Sequence, residues 1–378
     1  MYKTISIFVL ILLTYLAINI YIGWHGLYAL SYFSANIIHT VYWVIFFVVA
    51  FSYLFGRIKV LPGSIRRFMQ LIGSYYFAVM EFAIILLPLA DLVAWFSRIA
   101  DVPFNTYMPI LIAAVSLLFL GLLVWGSWNA WVPIVRTYEI DIDKPAGDLQ
   151  ELRIAVASDL HLGNIVENRH LTRLVERVKD MQPDLVLLPG DVIDDVIEPF
   201  MRKEMSKVMS QLQAPFGIYA VPGNHDYYGG HIKEYVKQME AIGIRVLQDE
   251  SVLIHDSFYL AGRKDKAAET IDPAGRVSVQ ELLQDLNVTR PIIMMDHQPY
   301  HFDKAAAAGV DLLLCGHTHR GQFAPNHWIT RRVFELDWGY MLKEKMHVIV
   351  SSGFGTWGPP IRLASRCEIL ELTVRFRS

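Results

Sequence analysis

The sequence predicts a layered α/β domain carried behind a four-helix transmembrane region. Charge segregation is the first reason: residues 1–132 hold nine of the 71 Lys, Arg, Asp and Glu side chains of this 378-residue chain, which leaves 62 for residues 133–378. Four apolar runs, at about 4–22, 37–56, 71–97 and 108–131, are the second, because roughly 20 such residues cross a bilayer as a helix. The third is a change of pattern from Leu152 onward, where short apolar runs ending in polar clusters alternate with amphipathic stretches. That alternation is the mark of buried strands separated by helices.

The first apolar run is longer than the core of a secretory signal, lacks a small-x-small cleavage site and is followed by three more runs, so it reads as a retained span. Tyr21, Trp24, Trp95, Trp125, Trp128 and Trp131 gather near the ends of the runs, where amphipathic rings favour the headgroup region. The segment from Arg57 to Arg67 carries Arg57, Lys59, Arg66 and Arg67, whereas residues 23–36 carry no Lys or Arg and residues 98–107 carry Arg98 alone. Cytoplasmic loops retain basic residues. The expectation is therefore a multipass cell-membrane protein with this segment, the N-terminus with Lys3 and, after four spans, the soluble domain all on the cytoplasmic side. Glu81 and Asp91 lie in the third run on either side of Pro88, and an ionisable group at membrane depth is a functional candidate. The bland expectation is that Asp91 sits near the interface and Glu81 meets a polar group inside the bundle.

Residues 1–132 are thus expected to be membrane helices, 133–148 a linker and 149–378 one globular domain. Strands are expected at 152–158, 184–189 and 216–222, with helices near 168–181, 199–213 and 231–242 between them. Further strands are read in IHDSFYLAG, PIIMMD, DLLLCG, HVIVSS and the alternating tail from Glu368 to Arg377. Two cysteines, Cys315 and Cys367, exclude a disulfide framework and a thiolate zinc site. A net charge of −3 gives no electrostatic footprint for nucleic acid.

Chemistry concentrates at the carboxyl ends of these strands: Asp159 and His161, Gly190 and Asp191, Asn224, His225 and Asp226, His297, and His317 and His319. In open α/β folds such ends converge on one site. Asp, Asn and His without thiolate are ligands for divalent first-row metals, and two ions sharing a carboxylate can clamp the attacking and leaving oxygens of a displacement at phosphorus. His170, His231, His255, His301, His327 and His347 lack motif context and are expected to be surface or satisfied histidines.

In this order the pieces D-x-H, G-D, G-N-H-D, H and G-H-x-H resemble the calcineurin-like metallophosphoesterase superfamily, over roughly residues 150–375. The resemblance implies a four-layer αββα sandwich with a dinuclear site at one edge and two divalent metal ions, Mn, Fe, Zn, Ni or Co, as cofactors. It implies that Asp159, His161 and His319 hold one ion, that Asn224, His297 and His317 hold the other, and that Asp191 bridges them. It also makes His225 a non-ligand histidine facing the substrate, with Asp226 orienting its ring, while Asp194 and Asp195 are expected to cap the next turn. GHTHRGQ at 316–322 and SSGFGTWGPPIRLASRCEI at 351–369 are similar to a membrane-associated bacterial branch that includes YkuE-type phosphoesterases and UDP-2,3-diacylglucosamine pyrophosphohydrolases. Arg320 and Cys367 depart from that branch's usual residues. Arg320 and Arg362 are candidate contacts to substrate phosphate, and Trp357 is a candidate for contact with lipid or an acyl chain.

The expected function is a membrane-anchored phosphoesterase cleaving a phosphoester or pyrophosphate bond in an amphiphilic or lipid-linked substrate. Two alternatives accompany it: a soluble phosphate-containing small molecule as substrate with the membrane half an anchor, and a transporter or sensor with a regulatory phosphoesterase domain.

Overall fold

A computed structural model describes residues 2–34, 36, 38–58 and 60–377, with side chains from Ile5 onward. Lys59 and the side chain of Lys3, both part of the charge pattern above, lie outside the described residues. The chain forms two compact units, Met1–Trp125 with Gly358–Ile361, and Gly126–Trp357 with Arg362–Ser378.

In the first unit the apolar runs become α1 (Tyr2–Phe33), α2 (His39–Ala50), α3 (Ser52–Phe55), α4 (Gly63–Ile99) and α5 (Phe104–Trp131). The first unit has fewer membrane-length helices than the four spans expected from the sequence. Among the described residues three helices are long and apolar enough to cross a membrane: Ile5–Phe33, Gly63–Ile99 and Phe104–Trp131. The second run breaks at Phe51, whose ψ of 4° leaves the helical region, so α2 has 12 residues. At 1.5 Å per residue it is about 18 Å long against a hydrocarbon core of roughly 30 Å. It packs antiparallel to α1, with the Tyr15 hydroxyl donating to the Ala50 carbonyl (2.6 Å) and the Tyr42 hydroxyl to that of Gly23 (2.7 Å). Because α1 runs on to Phe33, Tyr21 and Trp24 sit inside a helix and not at its end. The Tyr21 hydroxyl donates to Asp91 (2.5 Å), and His25 Nε2 lies 2.9 Å from the same carboxylate. Asp91 therefore has protein partners.

The second unit is a sandwich of two six-stranded mixed sheets. One has the order β1 (Ile134–Ile142), β12 (Glu368–Phe376), β2 (Glu151–Val156), β3 (Leu185–Pro189), β4 (Ile218–Val221) and β5 (Ile244–Val246). The other has the order β10 (Gly339–Lys343), β11 (Met346–Val350), β9 (Leu312–Cys315), β8 (Ile292–Met295), β7 (Phe258–Gly262) and β6 (Glu250–Ile254). Period-two alternation assigns the faces. Leu152, Ile154, Leu185 and Leu187 meet Leu260, Ile293, Met295 and Leu312 between the sheets. Ala155, Val186 and Leu188 face outward onto helices that include Asn168–Met181 and Ile232–Glu240, while Met294 and Leu313 face helices that include Val279–Leu283 and Phe302–Ala307. Residues expected to form a linker include β1, which pairs in parallel with β12 along its whole length. The 199–213 stretch is two short helices, Glu198–Arg202 and Met205–Met209, with Glu204 between them in a left-handed conformation.

Candidate metal centre

The site is built where strands stop. Asp159 follows β2, Asp191 follows β3, Asn224 follows β4, His297 follows β8, and His317 and His319 follow β9. Each chain turns sharply: Asp159, His161, Asp191, His317 and His319 all have φ between 46° and 72°. Left-handed backbone costs a side chain of this kind on the order of 1 kcal/mol or more, and such strain persists where the surrounding structure over-determines it. The motif glycines make room. Gly190 has φ +87°, and a Cβ there would fall 2.3 Å from His297 Nδ1. A Cβ on Gly316 would fall 2.3 Å from Asp159 Oδ2.

Among the groups that result, two hold residues expected as ligands, and two more include His225, one with His161 and Asp191 and one with Asp194 and Asp195. Asp159, His161 and His319 bring one donor atom each within 4.8 Å of the others, and Asp191, His297 and His317 do the same. In the first, His161 Nε2 lies 3.0 Å from His319 Nε2, which lies 3.5 Å from Asp159 Oδ1. In the second, Asn224 Oδ1 lies 3.2 Å from His297 Nε2 and 2.8 Å from His317 Nδ1. Asp191 Oδ2 stands between the clusters, 3.0 Å from His297 Nε2 and 3.8 Å from His161 Nε2. All seven residues read from the sequence as ligands are thus brought together.

Backbone contacts aim the side chains. His297 Nδ1 is 2.9 Å from the Pro189 carbonyl, which makes it the donor and points Nε2 at Asp191 and Asn224. The His317 amide donates to Asp159 Oδ1 (2.8 Å), and the His225 amide to Asp191 Oδ1 (2.9 Å). Burial pushes the His161 and His317 imidazoles down to about 3, and burial together with His161 holds His319 well below its usual value. These rings are neutral at physiological pH, as ligands must be. Burial raises Asp159 to about 6, whereas Asp191, also buried, is held well below the usual carboxylate range by His297, His161 and His225.

The donor set fits divalent metal. Asp159 Oδ2 is buried with no hydrogen-bond partner among the described residues. An unsatisfied buried acceptor costs on the order of 1–3 kcal/mol, more for a charged one, and an ion beside it removes that cost. Nitrogen and oxygen donors without thiolate suit the first-row divalent ions.

The structure places three other residues differently from expectation. Asp226 does not orient the His225 ring; its carboxylate accepts from the Gly223 amide (2.8 Å) and the Ile193 amide (3.0 Å), tying the β3 and β4 turns together. The partner of His225 is Asp195, whose Oδ1 lies 2.7 Å from Nδ1, with Asp194 Oδ1 at 3.9 Å. Asp195 was expected to be a cap; its place four residues after Asp191, facing the turn that carries His225, was the signal to read. Arg362 is fully buried and donates to the Ser352 and Gly355 carbonyls (both 2.6 Å), with His319 Nδ1 3.1 Å away. With those bonds made it cannot reach a substrate phosphate. The Arg320 guanidinium lies 4.0 Å over the Trp338 ring.

Against known proteins, the chain is 32% identical over 245 residues to an uncharacterized metallophosphoesterase of Aquifex aeolicus, covering 64% of this chain and 91% of that one. Residues 152–321 match the family described as calcineurin-like phosphoesterase. The chain belongs to this family. A transmembrane protein with metallophosphoesterase domain from Danio rerio is 31% identical over 282 residues, 72% of this chain and 63% of that protein, so this metallophosphoesterase spans less than two thirds of the zebrafish relative. The uncharacterized metallophosphoesterase YkuE of Bacillus subtilis is 27% identical over 231 residues, covering 59% of this chain and 79% of YkuE. The family domain with its clustered metal-binding residues supports a metal-dependent hydrolase.

Proposed function

We propose that this metallophosphoesterase binds two divalent ions and hydrolyses a phosphoester or pyrophosphate bond in an amphiphilic substrate at a membrane surface. The observation that carries the dinuclear reading is the position of Asp191 Oδ2 between His297 and His161. Asp159, His161 and His319 would hold one ion, Asn224, His297 and His317 the other, and Asp191 would touch both. When bound, two such ions supply Lewis-acid stabilisation of charge developing on phosphoryl oxygens and lower the pKa of water.

The remaining work falls to the chain's own groups. His225 is tied through Nδ1 to Asp195, which leaves Nε2 for the substrate. Burial opposes its charge, but the Asp195 hydrogen bond and the Asp191 and Asp194 carboxylates push its pKa to about 9. The Asp195 carboxylate bonded to Nδ1 favours the protonated ring, which would be placed to give a proton to the leaving oxygen. Asp195 holds the ring in register.

Support for an amphiphile is the similarity of the tail to the bacterial branch that includes UDP-2,3-diacylglucosamine pyrophosphohydrolases, together with Trp357, 58% exposed with its ring centroid 6.0 Å from that of His225. The test compares a full amphiphile with its headgroup-only analogue on the full-length chain in nanodiscs. Lower kcat/KM for the analogue is expected. Equal values mean that apolar contacts contribute nothing to the transition state, and the substrate is then a soluble phosphoester with the membrane half an anchor.

Orientation follows from Arg57, Arg66 and Arg67, with Lys59, which precede α4 or begin it. Two membrane-length helices, α4 and α5, separate this segment from the catalytic unit. Whatever crosses before it, the unit returns to the basic, cytoplasmic side. A second reading, transport or sensing with a regulatory hydrolase, rests on Asp91 meeting Tyr21 and His25 within the membrane helices.

A further inference from the structure

The helix His327–Val333 follows the GHTHRGQ motif and buries none of its side chains. At 100° per residue Trp328, Arg332, Ile329 and Val333 fall on one side of it, and the three apolar residues are 57–64% exposed. Its other side is fastened to the domain, where the Thr330 hydroxyl donates to Asp337 (2.6 Å). Among the described residues neither Arg331 nor Arg332 forms an ion pair. Three large apolar side chains interleaved with free guanidinium groups on seven residues are a composition suited to the boundary between lipid headgroups and acyl chains.

Position points the same way. The last six residues of α5, Gly126–Trp131, belong to the same compact unit as this helix. The Gly126 carbonyl accepts from the Arg362 amide (2.9 Å), and Asn129 Nδ2 donates to the Arg362 carbonyl (3.1 Å). The next residue, Leu363, donates its amide to the Gln322 carbonyl (3.0 Å). Gln322 adjoins Gly321, which is packed so closely on the His327 amide that a Cβ there would fall 2.5 Å from it. Two main-chain hydrogen bonds and one close backbone packing thus run from the end of a membrane-length helix to the start of the exposed one. Gln322 also exchanges two hydrogen bonds with the Trp357 backbone (both 2.9 Å), fixing a second exposed indole beside the metal centre.

We propose that His327–Val333 is an interfacial anchor that docks into an anionic lipid surface, with Trp328, Ile329 and Val333 below the headgroups and Arg331 and Arg332 among them. This deepens the membrane-surface substrate reading and rests on it for its purpose, because the anchor sets the mouth of the metal centre at headgroup level. Anionic lipid is the occupant the chemistry selects: the arginines supply charge complementarity, and the path through Gln322, Leu363 and Arg362 leads to the end of α5, a helix of membrane-crossing length.

The test uses the full chain in nanodiscs of phosphatidylglycerol and phosphatidylcholine, with a spin label on Ile329→Cys and a control label on Leu253→Cys, an exposed position of β6. Native Cys315 and Cys367 are buried and do not compete. The expected result is a label at 329 relaxed by dissolved oxygen and shielded several-fold from a water-soluble nickel chelate relative to the label at 253. Shielding should fall in phosphatidylcholine alone and in an Arg331→Ser, Arg332→Ser double variant. A label at 329 as open to the chelate as that at 253 overturns the proposal, and one shielded from both probes overturns it in favour of a protein partner. Val333→Cys provides the same readout where Ile329→Cys fails to fold. No substrate is added. Shielding without any preference for amphiphilic substrates would sink the substrate reading and leave the anchor, and preference without shielding would do the reverse.

Discussion

Asp191 is the residue on which both clusters converge, and its substitution should be felt by both. Asp191→Asn is expected to reduce bound metal at both positions and to be the most damaging of the seven ligand changes, read by metal analysis beside hydrolysis of a p-nitrophenyl ester. His225→Ala should lose roughly 100- to 10,000-fold in kcat with metal content unchanged; metal loss in that variant would place His225 among the ligands. Asp195→Asn should also lower kcat with metal content unchanged, because it removes the carboxylate that orients the His225 ring. Asp226→Ala should instead lower the melting temperature, because it strips acceptors from the buried Gly223 and Ile193 amides. The seven residues proposed as ligands were legible because the motifs after the strands, and the family resemblance they carry, are local patterns. The His225 partner was not, since its choice between Asp195 and Asp226 depends on how two turns face each other. Arg362 misled for a related reason: an arginine in a Gly and Pro-rich loop reads as exposed, and only packing reveals that it is fully buried with both guanidinium NH2 groups bonded inside the fold.

Among the elements, the loop 351–367 ties the end of α5 to the metal centre. His170, expected to be a surface or satisfied histidine, is buried with its ring stacked on Phe354 at 4.2 Å and Trp131 against its edge at 5.1 Å. Burial pushes its pKa down to about 4. Between the unfolded value near 6.5 and that value the unfolded chain binds more protons, so stability rises with pH across this window and is lost as pH falls through it. The span amounts to roughly 3 kcal/mol at 1.36 kcal/mol per unit. His170→Gln should therefore flatten the dependence of the catalytic unit's melting temperature on pH between about 4 and 6.5, and an unchanged slope would show that the ring ionises freely in the folded state. Strands buried on both faces, such as β3 and β9, were legible as continuous apolar runs. The edge strands were not: β1 reads IVRTYEIDI, alternately exposed and covered, and its polar half looks like a linker until β12 pairs with it. The second apolar run failed in the opposite sense, since composition alone gave no sign of the break at Phe51.

For the whole molecule, sequence composition separated a membrane part from a catalytic part because charge is costly in lipid. The layering of the sandwich followed from period-two strands and the resemblance together. The membrane part carries its own question. Asp91→Asn, which removes the carboxylate shared by Tyr21 and His25, should leave hydrolysis of a soluble ester unchanged within about twofold if these helices only anchor; a large change would favour the sensing reading. The central claim, a hydrolase working through two ions joined by Asp191, is tested most directly by metal content measured together with turnover on the purified full-length chain. The account predicts two divalent ions per chain, loss of hydrolysis on chelation, recovery when divalent metal is returned, and neither full occupancy nor recovery in Asp191→Asn. Undiminished hydrolysis by a chain shown to be metal-free would contradict it.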